Sequence, residues 1–135
     1  MKDLYNKLAA ISGACAAPTD NTAVVSPIVD VQKYAALAFF IISGTLADAD
    51  ATFTVLLEES NDSGMSGATA VADADLLGTE AAASLTFAND GVVRKLGYRG
   101  YKRYVRLTIT PAGNASAAPL AVIAIGDPTE QPAAT

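Results

Sequence analysis

Val105-Arg106-Leu107-Thr108-Ile109-Thr110 is the stretch on which the fold turns. Val105, Leu107 and Ile109 alternate with Arg106, Thr108 and Thr110, a period of two that puts the apolar set on one side of a strand. β-Branched residues supply much of it, as a pleated, half-buried surface favours. Phe53, Val55 and Leu57 repeat the pattern against Thr52, Thr54 and Leu56. Leu120 and Val122 face one way, Ile123 and Ile125 the other, and Leu85 and Phe87 bracket Thr86. The alternation predicts strands near 24–31, 34–44, 51–59, 69–77, 83–88, 91–98, 103–110 and 118–126. Turn compositions separate them, among them Ser60-Asn61-Asp62-Ser63-Gly64, Asn89-Asp90-Gly91 and Pro111-Ala112-Gly113-Asn114. Such spacing with almost no helix predicts an all-β chain, an antiparallel β-sandwich or jelly roll over residues 23–127.

The ends read differently. Leu4, Leu8 and Ile11 have helical spacing with Asp3 available as an N-cap, and Gly13 would stop such a helix. Residues 1–22 are therefore expected as an N-terminal arm outside the sandwich, either a short helix or extended. A C-terminal tail is expected over 128–135, because Gly126-Asp127-Pro128 closes a strand poorly. One strand breaks the half-buried rule. Leu37, Phe39 and Ile41 lie on one side of 35–42, yet Ala36, Ala38, Phe40 and Ile42 are apolar on the other. A strand buried on both faces needs two covering layers, and a two-sheet sandwich supplies one. The N-terminal arm, a long loop or another chain covers the second face; Phe40 and Ile42 are the candidates for contact between copies, with a trimer expected.

Composition removes many functions. The 135 residues carry no histidine, which excludes Ser-His-Asp and Cys-His machinery and imidazole zinc ligands. One cysteine allows neither an internal disulfide nor a thiolate cage; Cys15 reads as a small apolar side chain. Asp48-Ala49-Asp50 and Asp73-Ala74-Asp75 do not continue into calcium loops, and Glu58 and Glu59 point to opposite faces of their strand. No enzyme, cofactor or metal is expected. The stretch Leu8 to Ala17, broken by Ser12 and Gly13, is too weakly apolar for a signal peptide, and the nine apolar residues of 34–42 are too few for a membrane span. The expectation is a soluble product with no membrane partner.

Charge is segregated along the chain. The net charge is −5, and nine acidic residues but no basic one fall between Tyr34 and Val93. Arg94, Lys95, Arg99, Lys102, Arg103 and Arg106 then follow within thirteen residues, interleaved with Tyr98, Tyr101 and Tyr104. Tyr with Arg is a pairing enriched at protein interfaces, although charges folded back on the chain's own acidic loops would read the same way. Arg99-Gly100-Tyr101 opens like an RNA-recognition signature, but Lys102 and Arg103 break it, and the acidic balance argues against nucleic acid.

Several stretches have a familiar cast: Asp3-Leu4-Tyr5-Asn6-Lys7, Phe53 through Asp62, Ala74 through Thr79, Ala118-Pro119 through Pro128, and above all Lys95-Leu96-Gly97-Tyr98-Arg99-Gly100-Tyr101-Lys102-Arg103-Tyr104-Val105-Arg106-Leu107. Together they resemble small virion proteins of tailed phages and prophages, of the capsid decoration (cement) type. The resemblance implies a sandwich attached outside a capsid lattice, made in the host cytoplasm, with the major capsid protein and its own copies as partners. Attachment is then expected through Leu4, Tyr5, Leu8 and Ile11 of the arm and through the basic segment 94–106. A strand ending in Glu-Ser-Asn-Asp-Ser-Gly also resembles discoidin-type carbohydrate-binding sandwiches, and a tail-associated module would read alike. The loops at 60–68 and 111–117 hold none of the aromatics a sugar site wants.

Overall fold

In the computed structural model, which describes residues 3–129, two antiparallel sheets pack face to face as a β-sandwich. Strands are numbered along the chain. The five-stranded sheet has the order β1 (Ala9–Ala16), β11 (Leu120–Pro128), β4 (Tyr34–Ser43), β9 (Val93–Tyr98) and β7 (Leu76–Leu77). The other sheet centres on β10 (Tyr104–Ala112) and β5 (Thr52–Ser60). Beside β10 lie β2 (Val24–Val25) and β3 (Val29–Asp30); beside β5 lie β6 (Thr69–Ala70) and β8 (Leu85–Thr86). A single helical turn, α1 (Glu80–Ala83), is capped by the Thr79 hydroxyl, which accepts from the Ala82 amide at 3.0 Å.

The core is where the two alternations meet. Leu57 stands opposite Leu107 and Val55 opposite Ile109, and all four are buried. Phe39, Ile41, Leu96 and Val122 close on them from the facing sheet with no exposed surface. Truncating such a leucine to alanine costs about 2–5 kcal/mol.

The long alternating strands lie where their periodicity places them; the short ones do not. The 24–31 strand is split by Pro27, whose missing N–H cannot serve a ladder. Segment 69–77 is two strands in different sheets, joined by a 3-10 turn at Asp73–Asp75. Residues 80–83, near the expected 83–88 strand, turn helically before β8.

The largest departure is at the N-terminus. Residues 9–16, expected within an arm, form β1, paired with β11 from Ala9 opposite Gly126 to Ala16 opposite Leu120, with a bulge between Ala10 and Ser12. The helical spacing of Leu4 and Leu8 is realised as one turn only. Amides of Lys7 and Leu8 donate to the Leu4 carbonyl, and Asp3 accepts from the Asn6 amide. Ser12 and Gly13 have little helical drive, whereas β11 offers a nine-residue row of backbone groups that β1 satisfies. At the other end β11 runs through Pro128, past the expected boundary, with a register shift at Asp127/Pro128 where a proline is tolerated. The rest of the expected tail, 130–135, lies outside the described residues.

Candidate functional site

The outer face of the five-stranded sheet is apolar from edge to edge. Side chains opposite one another share a face. Phe40 is opposite Ile123 on one side and Lys95 on the other; Ile42 is flanked by Ala121 and Val93, and Ala38 by Ile125 and Gly97. Leu77 is opposite Gly97, and Cys15 and Gly13 extend the row beyond Ala121 and Ile123. In these rows Lys95 is the one charged side chain. Phe40 and Ile42 are half-buried by their neighbours, while Val93 is 60% and Leu77 54% exposed. Among the described residues no long loop covers the second face of β4, and of the expected arm only Leu8 reaches it.

Leu8, Ala38, Phe40, Leu77, Gly97 and Ile125 line a groove of about 480 Å³ on this face, with Lys95 and Asp127 its only charged lining. Gly97 makes the groove possible. A Cβ there would stand 2.8 Å from the Leu77 Cβ, so only glycine lets β7 lay Leu77 across the sheet.

The structure divides the residues of the expected attachment sites. Leu4, Tyr5 and Leu8 are exposed at 57%, 71% and 40%, whereas Ile11 packs against the core. Within the basic segment, Arg103 pairs with Asp30 at 2.9 Å and lies over the Tyr104 ring at 5.2 Å; Arg106 meets Glu58, directly opposite on β5, at 3.3 Å. The guanidinium of Arg103 holds the Asp30 carboxyl below the usual carboxylate range. Tyr98 is buried: its hydroxyl donates to Glu59 Oε2 at 2.7 Å and accepts from the Lys102 amide at 3.0 Å. Burial, reinforced by Glu59, raises its phenol well above the ordinary tyrosine range. Arg94 is half-buried on the inward parity of β9, its Nε without a partner. Lys95, Arg99, Tyr101 and Lys102 are exposed, Tyr101 at 96%. The segment is thus half structural bracing and half exposed loop.

The Glu-Ser-Asn-Asp loop forms a polar groove of about 380 Å³ lined by Glu59, Ser60, Asn61, Asp62 and Lys102 among others. Its polar groups hold the loop's own shape. Asp62 accepts from the amides of Gly64 and Ser66, and Ser60 donates to the Ser66 carbonyl. Asp48 likewise accepts from the Asp50 and Ala115 amides. Among the described residues no group of three or more His, Cys, Asp or Glu side chains could hold a metal ion, and no helix is long and apolar enough to cross a membrane. Cys15, read as a small apolar side chain, is exposed.

Leu77, Val93, Ile123 and Ile125 belong to the apolar face yet were not among the expected contact residues. The parity of Ile123 and Ile125 was visible in the sequence; that they lie beside Phe40 follows only from the pairing of β11 with β4.

No protein-family model and no curated protein matches the chain. Among solved structures, the PBSX exported protein XepA superposes with a TM-score of 0.57 over 96% of this chain at 15% identity. A mutant xylanase 10C from Cellvibrio japonicus in complex with xylopentaose gives 0.50 over 93% at 10% identity. The chain spans 40% of the length of the first and 28% of the second. At these identities the likeness is one of fold, and the fold shared is the β-sandwich.

Proposed function

We propose that the chain is a structural virion protein that decorates and stabilises the exterior of a tailed-phage capsid. It would bind the major capsid protein through the outer face of its five-stranded sheet. The observation that carries this reading is the edge-to-edge apolar face, with Val93 exposed beside Ile42 and Leu77 exposed beside Gly97. A monomer rarely leaves such a patch in water unless a partner takes it. The family resemblance of the Lys95–Leu107 run supports the capsid as that partner. The exposed cations Arg99 and Lys102 would add register against acidic capsid loops, a salt-sensitive contribution.

The test is to add the purified chain to expanded capsids that lack it and challenge them with heat and osmotic shock. Bound protein and a raised disruption temperature are expected. Capsids that bind none of it, or gain no resistance, would contradict the reading. The xylopentaose-bound neighbour favours a second reading, carbohydrate capture. Retention on a glycan array without capsid binding would favour that one.

A further inference from the structure

Every sheet edge of the sandwich but one is made of two-residue strands. On the β10 side, β2 and β3 have two residues each and are parted by Pro27; on the β5 side, β6 and β8 also have two each, and β7 ends the other sheet with two. Short or broken edges give a foreign strand nothing to extend. β1 is the exception. It presents eight residues, regular from Ser12 onward after the bulge at Ala10/Ser12, and the run from Leu8 to Thr19 contains no charge. Its only proline is Pro18, beyond the strand.

The parity of the free groups can be read. The Ala118 amide donates to the Pro18 carbonyl, and Ala16 and Ala14 stand opposite Leu120 and Val122 in the same phase. From Ser12 to Pro18 the even-numbered residues therefore turn their backbone groups to β11, the phase inverting below the bulge at Ala10/Ser12, which leaves the groups of Gly13 and Cys15 directed at the open edge. Among the described residues no other strand pairs there.

We infer that β1 is the seam of a two-fold dimer, in which the β1 strands of two copies pair antiparallel and join their five-stranded sheets into one. A second copy is the occupant that the charge pattern fits. An antiparallel self-pairing centred near Gly13 sets residues 8–18 of one copy against the same stretch of the other, and no like charges meet. Area decides what else must take part. A strip eight residues long and one sheet thick covers only about 260 Å² per copy, against about 800 Å² for a standard interface. The exposed Leu4, Tyr5 and Leu8 lie just before β1, and the antiparallel pairing carries them past residues 16–18 of the other copy. These side chains bring the buried area toward the usual range. The seam uses the backbone edge of β1 rather than the outer face on which the capsid reading rests, and only Leu8 among its apolar side chains borders both.

Light scattering on the full chain tests it, the expected mass being twice 13.7 kDa at about 100 μM. Cys15→Pro removes an amide that faces the open edge and leaves the β11 ladder intact, and should give a monomer with an unchanged β-sheet spectrum. Leu4→Ser with Tyr5→Ser, outside every ladder, should raise the dimer dissociation constant at least tenfold. It decides the matter if Cys15→Pro fails to fold. A bis-maleimide acting on Cys15, the sole cysteine, should link the wild type into a pair and spare the double variant at low concentration. A monomeric wild type, or a dimer unaffected by the Leu4/Tyr5 change, would overturn the inference.

Discussion

Ser26 holds a place in the sheet that a backbone group normally fills. Pro27 bends the chain away from β10, but the Ser26 hydroxyl accepts the Leu107 amide at 3.0 Å, while its own amide donates to the Leu107 carbonyl at 2.8 Å. Ser26→Ala leaves that amide buried without a partner, and should cost about 1–3 kcal/mol in denaturant melts. Tyr98 gives a pH signature. Its phenol is raised in the folded chain, so its share of stability is fully present below about pH 10 and falls as pH rises above that value. Tyr98→Phe removes the partner of Glu59 and should be less stable at pH 7 by about 1–3 kcal/mol. The gap between the two proteins should narrow above pH 10; a gap independent of pH would contradict the assignment.

At the scale of elements, α1 acts as a stopper. Its Glu80 carboxylate accepts the Leu57 amide at 2.7 Å, and Ser84 just after it accepts the Val55 amide at 3.0 Å, closing the stretch of β5 between β6 and β8. Glu80→Ala with Ser84→Ala reopens that edge. Melting should fall by several degrees, and aggregation, followed by light scattering on heating, should begin earlier. This device was illegible in the sequence, because Thr79-Glu80-Ala81-Ala82 carries no period of its own and falls between the expected 69–77 and 83–88 strands. The strands with strict alternation, β5 and β10, were legible because burial on one face writes itself as a period of two. β1 was not, because alanine, serine and glycine carry almost no period and the Leu4–Leu8–Ile11 spacing mimicked a helix. Of the outer-face residues, Phe40 and Ile42 were legible as an excess of apolar side chains on one strand. Tyr98 was misread, since an aromatic among cations looks the same whether its ring is buried or exposed.

For the whole molecule, charge and hydrophobicity separate by face. Arg103 and Arg106 are used in bracing the second sheet, Arg99 and Lys102 sit on an exposed loop, and the five-stranded sheet shows an outer surface interrupted chiefly by Lys95. That asymmetry is the ground for reading the outer face as the attachment surface. Leu77 and Val93 are its most exposed large side chains, so replacing them should change stability by no more than about 0.5 kcal/mol. The most direct measurement is the occupancy of expanded capsids by wild type and by a Leu77→Asp/Val93→Asp variant at equal concentration. A folded variant whose apparent affinity falls at least tenfold is the predicted result; a folded variant that decorates capsids as fully as the wild type would contradict it.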